Sequence, residues 1–288
     1  MPLLHAIVLG IVQGLTEFLP ISSSGHLQIV PWLFGWNDFD DAGVKKAFDV
    51  ALHLGTLAAV VFHFRRDVML LVRKGLSKPP LDRDGRLAWL LVLTAVPAAL
   101  VGALFETWID DELGTPFVIA CSLVVFGLLL GWIVRRRRGD RRVEELSLRD
   151  ALLVGGAQVL ALNPGTSRSG VTMTAALALG YGREAAVRLS FLMSLPVIAG
   201  AGAVKVAGLV SDGVPDGLLV PMLVGIATAA VSGWLAVWGL LRLVRTRTFP
   251  QALPASYAHH LPLRLRVRPE GRTDTAPPRP DGSRSPVP

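Results

Sequence analysis

Gly10–Gly25 reads GIVQGLTEFLPISSSG, so a carboxylate, a proline and three hydroxyls follow one another at the edge of an apolar segment, with His26 next. Much later, Gly155–Gly170 reads GGAQVLALNPGTSRSG. The two stretches align without a gap: Gly10 meets Gly155, Gln13 meets Gln158, Leu15 meets Leu160, Ser22 meets Ser167, Ser24 meets Ser169 and Gly25 meets Gly170. Identity is modest, and two glycine-rich apolar segments can match by chance. Their common plan carries more weight. Each predicts a short helix, a proline break, a hydroxyl-rich turn and a second short helix.

The sequence around them is membrane-like, with 51% hydrophobic residues and a mean hydropathy of +0.50. Leu87–Phe105, Pro116–Val134 and Leu218–Leu241 contain no ionised side chain, and each approaches or exceeds the roughly 20 residues that cross about 30 Å of hydrocarbon. Ala47–Phe64 and Leu189–Val210 are also long and apolar but carry Asp49, His53 and Lys205, which predicts spans with a protein-facing side. The expected fold is an all-α integral membrane protein with about five transmembrane helices. Three of these spans separate the two copies, so the second copy faces the opposite way across the membrane. Inverted repeats with broken helices place binding sites near the midplane. We therefore expect two re-entrant helical hairpins, entering from opposite faces, whose tips meet where non-helical backbone is buried in protein or lines a wet cavity. The membrane domain covers residues 1–248, with repeat one at about 1–134 and repeat two at about 148–248.

Charge sets the topology. The connections after the first, third and fifth spans are rich in arginine (Arg65 to Arg86, Arg135 to Arg142, Arg242 to Arg247), whereas those after the second and fourth hold Glu106, Asp110, Asp111 and Glu112, then Asp212 and Asp216. By the positive-inside rule the basic connections are cytoplasmic, and the first hairpin starts from the outer face. Beside a span, Arg135–Arg138 reads as a topology anchor rather than a nucleic-acid patch. No nucleic-acid partner is expected despite the net charge of +7. The Asp110–Glu112 cluster reads as a solvated loop rather than a metal site. Ala6–Thr16 is too short for a span and runs into Glu17 rather than a small-residue cleavage site, which argues against a signal peptide. Cys121 is the single cysteine, so no intrachain disulfide forms. Residues 249–288 are rich in proline and arginine and read as a disordered cytoplasmic tail.

The chemistry lies in the two tips. Gln13 and Glu17 share a helix face that Pro20 interrupts. Ser22 can cap the next helix, placing Ser23 and His26 on a common face with Ser24 beside them. The bland reading is that these serines only cap and that Glu17 marks the water boundary. Against it, ionisable groups inside a membrane are costly and usually functional. The second tip has the outline of an anion binder: Gly165 frees the backbone, Thr166, Ser167, Ser169 and Thr172 offer hydroxyls, and Arg168 supplies a planar fork suited to phosphate. GTSRSGVT imitates a nucleotide-binding loop, but Val171 replaces the lysine such a loop requires and no strand precedes it. A phosphate clamp opposite a candidate nucleophile and base is a constellation for phosphoryl transfer. Asp49 and His53, four apart, read equally well as supporting residues of the same cavity or as a structural pair.

QGLTEFLPISSSGH and PGTSRSGVT resemble the two signature segments of the bacterial undecaprenyl-diphosphatase family of the bacitracin-resistance type: glutamate or glutamine, three residues, then glutamate, and later PGxSRSxxT. The resemblance covers about Leu3–Thr248. It implies hydrolysis of undecaprenyl diphosphate to the monophosphate carrier reused in peptidoglycan synthesis, in the plasma membrane, with a site open to the outer face. It also implies a polyprenyl diphosphate lipid as partner, and a homodimer is an expected assembly. Carried over by motif, Glu17, Ser23, His26 and Arg168 form the critical set, with Gln13, Ser167, Ser169 and Thr172 around them. Ser23 or a water activated by His26 would attack, and Glu17 would orient His26 or hold Mg²⁺ or Ca²⁺. Two departures stand out. Gln13 occupies a position where many relatives carry glutamate, and relatives end with a further span where this chain has its proline-rich tail. A polyprenyl-phosphate transporter or an inactive remnant are the alternatives; transport needs phosphate binding but no nucleophile or base.

Overall fold

The computed structural model describes residues 1–39, 42–79, 81–113, 115–136, 139–212 and 217–247. The expected tail, Arg137 and Arg138 of the arginine run, Asp216, and the side chains of Asp110, Asp111 and Asp212 lie outside the described residues. The protein is an all-α membrane protein. Its helices are α1 (Leu3–Phe18), α2 (Ser23–Phe34), α3 (Ala42–His63), α4 (Arg65–Gly75), α5 (Arg83–Leu113), α6 (Pro116–Arg136), α7 (Leu148–Val159), α8 (Arg168–Ala178), α9 (Arg183–Asp212) and α10 (Leu219–Arg247). No strand forms among the described residues, and the one isolated β-bridge joins Arg141 to Tyr181.

Among the described residues four helices are long and apolar enough to cross a membrane, over Arg83–Phe105, Phe117–Arg136, Arg183–Val204 and Leu219–Thr246. The fifth expected span, α3, meets that test only together with α4, across an 88° bend. The connection after α3 is thus not a simple loop. Asp67 in the first turn of α4 and Arg73 and Lys74 in the last suit the helix dipole, and Val68 and Leu71 lean on the core. This apolar side, hidden among arginines in the sequence, makes the segment a helix.

The two predicted hairpins are helix-break-helix pairs, α1 with α2 and α7 with α8. Serine caps define the starts: Ser22 Oγ accepts from Gly25 N at 3.4 Å, Ser147 Oγ from Asp150 N at 3.1 Å, and Ser167 Oγ from Gly170 N at 3.1 Å. Packing between helices has no hydrophobic drive in lipid and rests on close fit and polar contacts. Gly10 and Gly155, equivalent in the two copies, provide that fit. A Cβ on Gly10 would stand 2.0 Å from Thr228 Oγ1 of α10, and one on Gly155 would stand 2.8 Å from the carbonyl oxygen of Thr94 in α5.

The repeat extends further than the alignment of the tips suggests. Gly35 and Gly180 both adopt positive φ, 65° and 87°, and each precedes an aromatic residue, Trp36 and Tyr181. These rings close the base of each hairpin. Trp36 stacks on His5 with centroids 3.7 Å apart, and His5 Nδ1 lies 2.8 Å from Asp38 Oδ2. At the other base, Tyr181 OH donates to Asp150 Oδ2 at 3.0 Å, Arg141 Nη2 donates to the same oxygen at 2.6 Å, and the guanidinium lies over the Tyr181 ring. The main core gathers Phe18, Val60, Phe64, Leu189, Phe191 and Met193 together with Tyr181, and Trp36 packs against a second cluster around Leu9, Phe48 and Leu52.

Candidate active site

Glu17, at the last turn of α1, is the centre of the site. Its carboxylate is buried, with a side chain 5% exposed, and a buried charge persists only when paired and hydrogen-bonded. Four groups surround it. Oε1 accepts from Arg168 Nη2 at 2.6 Å; Oε2 accepts from Ser23 Oγ at 2.5 Å and from Gln13 Nε2 at 3.1 Å, and His53 Nε2 stands 3.5 Å from Oε2. The Glu17–Arg168 bond joins the two tips. Ser169 Oγ adds a second tie by donating to the Leu19 carbonyl at 3.0 Å.

Each copy presents its residues by the same device. A serine caps the second hairpin helix and pairs with the serine two positions on: Ser22 with Ser24 at 3.2 Å, Ser167 with Ser169 at 3.0 Å. The residue between them begins the helix and reaches the Glu17 carboxylate. That residue is Ser23 in one copy and Arg168 in the other. A hydroxyl and a guanidinium thereby converge on one carboxylate. Arg168 Nη1 is buried and has no partner, as is Thr166 Oγ1 in the neighbouring turn. A guanidinium with one arm engaged and the other buried and unpaired is prepared for an anion such as phosphate. Gly165, at φ 91°, lets this turn approach α6, where a Cβ would stand 2.5 Å from the Ile119 carbonyl oxygen.

The family described as Bacitracin resistance protein BacA matches residues 6–252. The chain belongs to the BacA family. A relative from Geobacter metallireducens, named undecaprenyl-diphosphatase, is 48% identical over 246 residues, 84% of this chain and 90% of that protein. One of the same name from Geobacter sulfurreducens is 49% identical over 249 residues, 85% and 91% of the two chains. Another from Moorella thermoacetica is 47% identical, covering 86% and 92%.

Within this BacA-family site the other expected residues take distinct places. His26 lies on α2, three residues beyond Ser23, and its Nδ1 donates to the Ser22 carbonyl at 2.8 Å. Glu17 and His26 share no hydrogen bond among the described residues, so the carboxylate does not orient that ring; the Ser22 carbonyl does. Glu17 instead faces His53, whose Nδ1 donates to the backbone carbonyl of Asp49 at 2.7 Å. The Asp49 side chain pairs with Lys45 at 3.3 Å rather than with the site. Thr172 Oγ1 is engaged by Ser190 Oγ at 2.7 Å and by the Arg168 carbonyl at 2.8 Å, fixing α8 against α9. Sequence reading missed three supports: Ser190, the Leu19 carbonyl, and the Asn163–Ser122 bond of 2.7 Å that anchors the second turn to α6. Only Asn163 carried a signal, as the residue before a turn proline.

Proposed function

We propose that this chain hydrolyses undecaprenyl diphosphate to undecaprenyl phosphate and inorganic phosphate, returning the lipid carrier to peptidoglycan synthesis and so conferring bacitracin resistance. The observation that carries the reading is the Arg168 guanidinium, bound to Glu17 by Nη2 at 2.6 Å while Nη1 is buried without a partner. The names of the relatives support the same substrate. The basic connections favour a plasma-membrane site that opens to the outer face.

Arg168 Nη1 and the Thr166 hydroxyl receive oxygens of the diphosphate. The start of α8 adds its positive dipole end. Ser23 Oγ, donating to Glu17 Oε2 at 2.5 Å, is a hydroxyl readied by a base, and it attacks the terminal phosphorus. Its proton passes to Glu17 as the bond to the bridging oxygen breaks and undecaprenyl phosphate departs with the electron pair. A water then displaces Ser23 from phosphorus, and Glu17 returns its proton to the departing Ser23 oxygen. His26 Nε2, which has no protein partner among the described residues, takes the water proton. Gln13 Oε1, buried without a partner, would hold a divalent cation, Mg²⁺ or Ca²⁺, together with oxygens of the diphosphate, and such an ion would offset charge on the diphosphate.

The test is phosphate release from undecaprenyl diphosphate by the purified chain in detergent with Mg²⁺ or Ca²⁺, beside an R168A control. Release that disappears in R168A supports the reading. No release by the folded wild-type chain overturns it and favours a transporter or an inactive form.

A further inference from the structure

Ser22 is the one residue other than glycine with positive φ among the described residues, at φ 64° and ψ 103°. Helix caps ordinarily take extended backbone, and the other two serine caps do so: Ser167 at φ −72° and ψ 119°, Ser147 at φ −96° and ψ 164°. A serine with this φ is strained, and such strain persists where the surroundings enforce it and gathers at functional sites. Ser167 is the direct control, because it occupies the same position in the other copy of the repeat.

The two caps use their carbonyls differently. The Ser167 carbonyl accepts the helix bond from Val171 N at 2.9 Å. At Ser22 the corresponding bond, from His26 N, is stretched to 3.4 Å, while His26 Nδ1 approaches the same oxygen to 2.8 Å. The cap bond is weaker as well, 3.4 Å from Gly25 N against 3.1 Å from Gly170 N. The first tip thus gives up local backbone bonding and turns its carbonyl toward an imidazole. A carbonyl oxygen only accepts, so the hydrogen of the neutral ring sits on Nδ1 and the lone pair on Nε2.

We propose that Ser22 is a positioning residue that acts through its backbone: its left-handed conformation delivers a carbonyl to His26 Nδ1, fixing the tautomer in which Nε2 accepts a proton. The role of its hydroxyl is local, capping Gly25 and pairing with Ser24. The inference deepens the diphosphatase reading and rests on it for its kinetic consequences, though not for the tautomer itself.

Three variants separate backbone from hydroxyl. Glycine adopts positive φ freely, so S22G should keep kcat within about threefold of wild type. A β-branched residue opposes that backbone, so S22V should lose about 10²-fold in kcat with KM changed less than about twofold. S22A, without the hydroxyl but with a smaller backbone penalty than valine, should fall between them. In ¹⁵N spectra of histidine-labelled protein, His26 should be the Nδ1–H tautomer in wild type and S22G, and a mixture in S22V. Equal losses in S22G and S22V, a rise in KM shared by S22G and S22A, or an Nε2–H tautomer in wild type would each overturn the proposal. Thermal melts in detergent show which variants fold. If S22V does not, the comparison of S22G with S22A and the wild-type tautomer decide. Absence of phosphate release by wild type removes the diphosphatase reading alone, since the tautomer is read independently.

Discussion

The Glu17 carboxylate and the Arg168 guanidinium compensate each other's charge, with side chains 5% and 16% exposed. Removing one partner of a buried pair leaves the other uncompensated, which costs about 3–5 kcal/mol. E17Q should therefore both inactivate the protein and lower its melting temperature, as measured by phosphate release and by unfolding in detergent. R168K separates the two effects. Lysine keeps the charge near Glu17 but lacks a second arm in a fixed plane, so R168K should hold most of the stability while kcat/KM falls about 10²-fold, chiefly through KM. An R168K enzyme with wild-type KM would show that Nη1 does not hold the substrate. At this scale, residue types were legible from sequence and their directions were not. Glu17, Ser23 and Arg168 stand out as polar groups in an apolar chain. A hydroxyl such as that of Thr172 reads the same whether it faces a ligand or, as here, Ser190 at 2.7 Å. Of the two roles expected for Glu17, orienting His26 or holding a cation, the first has no hydrogen bond behind it among the described residues, because spacing on α2 puts Ser23 and His26 on one face without saying what each ring nitrogen meets.

Each hairpin is held at its base as well as at its tip, and the base of the second one titrates predictably. Burial disfavours ionisation of Asp150, but hydrogen bonds from Arg141, Ser147 and Tyr181 overcome it and hold its carboxyl at about 2 instead of 3.8. A folded-state value below the unfolded one contributes stability that is fully present above about pH 4 and is lost as pH falls toward 2. The difference corresponds to about 2 kcal/mol at neutral pH. D150N should accordingly melt below wild type at pH 7, and the gap should close as both are measured at progressively lower pH. A gap independent of pH would mean that shape, not charge, closes this base. The short helix before the proline break was legible here from the plan the two stretches share, and the equivalence of Trp36 with Tyr181 was not, because two aromatics of different type at matching positions look unrelated until their neighbours Gly35 and Gly180 show the same backbone turn. The helix α4 was hidden differently. Its charge density suggested a loop, while its apolar side became visible only against the core.

At the scale of the molecule, the inverted repeat predicts that α1 and α10, and likewise α7 and α5, must approach closely for the tips to meet. Gly10 sets the first approach: besides Thr228, a Cβ there would stand 2.6 Å from the Gly225 carbonyl oxygen, and backbone cannot yield as a side-chain end can. G10V should push α1 off α10. Overpacking of this kind costs about 1–3 kcal/mol, and because α1 carries Glu17 at its far end, a tilt of the helix moves the carboxylate away from Arg168 and Ser23. Activity should then fall further than stability alone requires, since phosphoryl transfer is sensitive to displacements near 1 Å. The control is Gly156, where a Cβ would meet nothing within 4 Å. G156A should leave activity unchanged and, by removing a glycine from a helix interior, stabilise the chain by up to about 1 kcal/mol. Phosphate release and melting in detergent, measured for both variants, decide the matter: if G10V melts lower yet keeps wild-type kcat in its folded fraction, the site does not depend on the seating of α1 against α10.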